Sequence, residues 1–175
     1  MNPISNWDEI EAKGNEDFKR LVPGGYVCRI TKVEDHPDKN YLYIEFDINE
    51  GEYINYGASC LERNGFTPLR MYRSYSDKAA GMFKGFIRDI EDSNLNYEWD
   101  WNEQKLVGRM IGVVLGEEEY RKQDGSVGTR WNARTKSMKA IRDGRFKVPE
   151  KKLLQVDNST QAFTPIDDDS TELPF

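Results

Sequence analysis

The chain has 175 residues, enough for one ordinary domain with appendages, and its 37% hydrophobic content with 4 Trp, 9 Tyr and 8 Phe supplies a packable core that excludes wholesale disorder. It has no run of 18 apolar residues and its first 20 residues lack a signal peptide's basic and apolar stretches, which predicts a soluble, unexported protein without a membrane partner. Cys28, Cys60 and His36 are too few for a zinc knuckle or a disulfide framework, and the net charge of −6 would repel nucleic acid if it were spread evenly.

In chain order, residues 7–21 carry Trp7, Ile10, Phe18 and Leu21 among acids, the pattern of a short amphipathic helical arm broken near Gly14. Pro23-Gly24-Gly25 resets the chain, and residues 26–34 read as a first strand with Tyr26, Cys28 and Ile30 on one face. Turn formers at 36–40 lead into a second strand over Tyr41–Ile48. There Leu42, Ile44, Phe46 and Ile48 share one face, and Tyr41, Tyr43, Glu45 and Asp47 the other. Residues 53–75 are ambiguous: strand-like pieces stand around 53–56 and 69–75, separated by Asn64-Gly65 and Pro68, and the strand is placed at 69–75.

From residue 76 to 92 the period changes. Ala79, Phe83, Phe86, Ile87 and Ile90 recur at spacings of three and four, with Ser76 able to cap, and Gly81 and Gly85 suggest a close approach. Strand character returns over 109–120, an Asp124-Gly125 turn follows, and 127–137 runs back as a fifth strand. The chain is therefore expected to be mainly β, with one to two helices. Five strands with a helix between the third and fourth is the order of the OB-fold, a partly open barrel that binds oligonucleotides across strands two and three and between two loops. Three regions result: an N-terminal helical arm at 1–22, an OB-fold-like domain at 23–152, and an acidic tail at 153–175.

The charge divides along the same lines. Residues 1–104 hold 12 Lys+Arg against 20 Asp+Glu, residues 105–152 hold 13 against 6, and residues 153–175 hold none against 5. In the basic segment, cations alternate with Tyr120, Trp131 and Phe146, which suits a flexible polyanion carrying flat bases. Candidate stacking platforms are Tyr41, Tyr43, Tyr72 and Trp131. Lys39, Arg121, Lys122, Arg130, Arg134 and Lys136 are candidate phosphate contacts. Strand alternation puts Trp131 on the face opposite Arg130, Arg134 and Lys136, so it serves equally as core. The outward tyrosines serve equally as cover for a neighbouring segment, and Glu45 and Asp47 weaken the phosphate argument beside them.

The tail carries Asp167, Asp168 and Asp169, then Ser170, Thr171 and Glu172, and closes on Leu173, Pro174 and Phe175. Acids to steer, a stiffening proline and a ring suit docking in a small pocket on another protein. These residues resemble the acidic tip of bacterial and phage single-stranded DNA-binding proteins, which closes on Ile-Pro-Phe or Leu-Pro-Phe. Ser170, Thr171 and Glu172 are an insertion relative to the compact form, and the tether is shorter than in many bacterial members. The body, from Trp7 through Val22-Pro23-Gly24-Gly25-Tyr26, looks like small phage-encoded members of that group.

The resemblance implies a non-enzymatic binder of single-stranded DNA in the cytoplasm of a bacterial host. It would act in phage DNA replication, recombination or repair, its tip would recruit replication or recombination proteins, and it would use no cofactor or metal. Homo-oligomerisation is left open. Two other classes compete. An adaptor module would use both barrel and tip to bind proteins. A nuclease would need Glu45, Asp47, Asp89 and Asp92 to converge on a metal, and they have no recognised spacing.

Overall fold

Strand β2 (Tyr41–Ile48) follows the sequence alternation residue for residue: Leu42, Ile44, Phe46 and Ile48 are buried, and Tyr41, Tyr43, Glu45 and Asp47 are half-exposed. The computed structural model in which this is seen describes residues 2–10, 12 and 18–155. Strand β1 (Gly24–His36) pairs antiparallel with β2 along its second half, and with β4 (Met110–Arg121) along its first. A bulge makes this sharing feasible. Ile30 opposes Phe46 and Lys32 opposes Glu45, so Thr31 is an extra residue, and the buried positions move from Cys28 and Ile30 to Val33.

Strands β3 (Arg70–Ser74) and β5 (Val127–Lys136) complete a five-stranded antiparallel sheet in the order β3-β2-β1-β4-β5. The two edge strands approach each other where the Arg73 guanidinium donates to the Ala133 carbonyl at 3.0 Å, and the sheet is an open, OB-fold-like barrel. Helix α2 (Ala80–Ser93) lies between β3 and β4 in the chain, as expected, and buries Phe83, Phe86, Ile87 and Ile90 in the core.

Three expectations are corrected. The strand-like piece at 53–56 is the entry to helix α1 (Tyr56–Asn64). Its first amides are capped from a distance: Asp47 accepts the Gly57 N–H at 2.6 Å and the Ala58 N–H at 2.9 Å. Gly81 and Gly85 serve no close approach, since a Cβ at either would meet nothing within 4 Å. Ser76 does not cap the helix; its hydroxyl is bonded by that of Ser74.

Of the N-terminal arm, the described part holds a single 3-10 turn at Trp7–Glu9, with Trp7 and Ile10 exposed. Leu21 is buried in the main core, and the Phe18 ring lies 5.2 Å from that of Tyr56. The break expected near Gly14 lies outside the described residues.

The outer face of β1 and β4 is covered by helix α3 (Met138–Arg142) and the chain that follows it. Ile141 packs there with Val27 and Val114, beside Phe146. Glycine permits the approach: a Cβ at Gly25, Gly112 or Gly116 would stand 2.5 Å from Phe146, Ile141 and Pro149 respectively. Lys152 then adds to the edge of β4, accepting from the Glu119 N–H and donating to the Glu117 carbonyl, each at 2.9 Å. This strap covers one side of the barrel. Among the described residues, no helix is long and apolar enough to cross a membrane.

Candidate nucleic-acid interface

The open side is built from the outward residues of β1, β2 and β3. Cross-strand register aligns Lys32 with Glu45, Glu34 with Tyr43 and His36 with Tyr41 on one flank; on the other it aligns Tyr43 with Tyr72, Glu45 with Arg70 and Tyr41 with Ser74. The rings form a continuous strip. His36 stacks on Tyr41 at 4.6 Å, Tyr72 lies 5.6 Å from Tyr41 and 5.4 Å from Tyr43, and Lys32 stands 5.9 Å above Tyr43. Tyr72 is the centre of the strip and is 57% exposed. Three tyrosines expected to stack are thus brought together by one strand pair.

Beyond Tyr72 lies a groove of about 570 Å³ between β3 and the β4–β5 hairpin, the seam where the barrel stays open. Phe66, Arg70 and Tyr72 stand on one wall, and Tyr120, Arg130 and Trp131 on the other. Trp131 holds both places left open for it: half-buried, it packs against the main core while lining this groove. Arg73 lies beneath the seam, 5.7 Å over the Phe86 ring, and burial lowers the pKa of its guanidinium.

The cations are distributed less simply than the sequence suggests. Arg130 lies 3.3 Å from Glu118 and over the Tyr120 ring at 5.3 Å. Burial opposes ionisation of Glu118, yet Arg130 and Lys152 together hold its carboxyl below the ordinary value. Lys39 is exposed in the turn leading to Tyr41, and Arg121 and Lys122 stand at the hairpin tip, where Arg121 donates to the Gly125 carbonyl at 3.2 Å. Arg134 and Lys136 sit at the far end of β5, outside the groove lining; burial raises the pKa of Asp89 there, and Thr135 and Lys136 offset only part of that rise. Much of the remaining basic charge of 105–152 lies on the strap, where Arg142 pairs with Glu50 and Arg145 with Asp143.

The acids near the strip are engaged locally. Tyr43 donates to Glu45 at 2.7 Å, and burial together with that bond raises the Tyr43 pKa. Lys32 pairs with Glu34 at 2.7 Å. Asp47 is committed to the α1 amides, so Glu45 and Asp47 have separate duties despite sharing a face.

Sequence reasoning missed Arg70, Phe66, Lys32 and His36. Arg70 had a readable signal, being two residues from Tyr72 on an expected strand. Phe66 had none, because its exposure of 56% depends on how the α1–β3 connection turns. The expected partner-binding residues Asp167, Asp168, Asp169, Glu172, Leu173, Pro174 and Phe175 lie outside the described residues. The chain matches no protein-family model and no curated protein.

Proposed function

We propose that this chain is a non-enzymatic binder of single-stranded DNA with little sequence preference, which protects exposed strands during phage replication or recombination. The observation that carries the reading is the strip Tyr41–Tyr72–Tyr43 opening onto the groove between β3 and the hairpin. Exposed rings at this spacing offer faces to successive unpaired bases, and Arg70, Arg130 and Lys39 stand where phosphates would pass. A duplex keeps its base faces stacked away and gains nothing from the strip. The acidic C-terminal segment recruits replication or recombination proteins in the cytoplasm of the bacterial host.

A fluorescence-anisotropy titration of the full chain with labelled oligo-dT and with duplex, at two salt concentrations, tests this. Single-strand binding that exceeds duplex binding and weakens steeply with salt supports it, and absence of oligo-dT binding in dilute buffer ends it. Removing Leu173, Pro174 and Phe175 should leave DNA affinity equal or slightly higher while abolishing capture of partners.

The ion-paired acids Glu34 and Glu118 favour a second reading, an adaptor whose groove takes a protein segment. Its binding would be mainly apolar and nearly indifferent to salt.

A further inference from the structure

On the α2 side of the barrel, away from the tyrosine strip, Tyr75, Phe83, Ile87, Trp99 and Trp101 line an apolar groove of about 540 Å³. Trp101 is 80% exposed and sits at a φ of 65°, a left-handed backbone that a bulky residue rarely adopts. The strained loop therefore holds a large apolar ring out in solvent, beside Trp99 at 6.0 Å. One exposed indole beside a half-buried one, at the mouth of an apolar groove, marks a docking surface more than a solvated face.

The groove lining carries two cations and one acid. Lys84 and Arg88 stand on it, and among the described residues neither makes an ion pair. Glu91, the acid in the lining, accepts the Trp99 amide at 2.9 Å, and Asp35 nearby accepts the Tyr75 hydroxyl at 2.8 Å. The matching ligand is a short peptide with acids leading into aliphatic and aromatic side chains.

The chain supplies such a peptide itself. Residues 167–175 read Asp-Asp-Asp-Ser-Thr-Glu-Leu-Pro-Phe. The described chain ends at Gln155, and residues 156–175 can extend at most ~70 Å. A domain of this size has a radius of gyration of only about 15 Å, so the segment reaches any point on its own surface. We infer that the C-terminal segment docks in this α2 groove of its own chain, with Leu173 and Phe175 against Trp99 and Trp101 and the acids facing Lys84 and Arg88. The docked tail leaves the tyrosine strip clear for DNA and withholds the tip until a partner competes for it.

The four tryptophans, Trp7, Trp99, Trp101 and Trp131, make the test direct. The full chain is labelled with fluorotryptophan, its four fluorine resonances are assigned by single Trp→Phe variants, and the spectrum is compared with that of Leu173→Ser/Phe175→Ser. Movement of the Trp99 and Trp101 resonances, with Trp7 and Trp131 unmoved, is the expected result. The double variant Lys84→Glu/Arg88→Glu should move the same two resonances in the same direction, and dilution should leave them in place. Unmoved Trp99 and Trp101, or movement at Trp131 instead, overturns the inference. A dilution-dependent shift assigns the groove to a second copy and overturns the within-chain form. DNA titration of the same variants is a separate readout, so this inference and the DNA-binding reading fail independently.

Discussion

Arg73 of β3 donates to the Ala133 carbonyl of β5 across 3.0 Å, and this contact sits at the one place where the sheet could close but no ladder joins the two strands. The charge is taken from water to get there, with the Phe86 ring on one side, and burial lowers its pKa as a result. A single side chain thereby spaces the two walls of the groove.

Replacing Arg73 by Met keeps the length and removes the donor. The Ala133 carbonyl then loses its partner, and stability should fall by about 1–3 kcal/mol, read as a lower urea midpoint with an unchanged slope. A midpoint equal to that of the parent would mean that the contact does not hold the seam.

Tyr72 is the most exposed ring of the strip and touches both neighbours. Tyr72→Ala should weaken oligo-dT binding by about 1–3 kcal/mol, with smaller losses for Tyr41→Ala and Tyr43→Ala, whose rings are partly covered. Unchanged affinity in all three would remove the strip from the site.

Arg130 lines the groove and Arg134 does not. Replacing Arg130 by Ala should therefore reduce the slope of log affinity against log salt by about one. The same change at Arg134 should leave the slope nearly intact. Equal effects would place the strand across β5 rather than along the seam.

Tyr26 and Tyr75 each have a pKa pushed up to about 12, Tyr26 by burial first and Tyr75 by its hydrogen bond to Asp35 first. The protonated form is favoured in the folded state, so their stabilisation is complete below the ordinary value of 10.0 and is lost as pH rises through about 12. Stability should fall over that alkaline window, and Tyr75→Phe should flatten the fall. Tyrosinate absorbance should show these two rings ionising as pH rises through about 12.

Asp47 caps α1 from β2. Asp47→Ala should cost about 1 kcal/mol in thermal or urea unfolding while leaving DNA affinity unchanged. A loss of DNA binding at full stability would give Asp47 a role in the site.

The same residue shows where sequence reading reaches its limit. The β2 alternation and the α2 period were legible because each is a local pattern facing one core. Helix α1 was not, because Asn55 makes no side-chain cap and the carboxylate that takes its place, Asp47, lies on another element, 10 residues before the Gly57 amide it accepts. The tyrosines of the strip could be read from alternation alone. The groove could not, since it exists only once β3 and β5 meet through Arg73. The basic run of 105–152 read as one hairpin, but folding sends its last third across the back of the barrel, where acids neutralise part of it.

That last third also governs what the molecule does in company. Past the end of β1, the backbone of β4 at Glu117 and Glu119 would offer free amides and carbonyls, and Lys152 takes them up. Trimming the chain before residue 150 would leave that border unsatisfied, ready to recruit a strand from a neighbouring molecule. Such a protein should self-associate into β-rich aggregates even with its barrel intact.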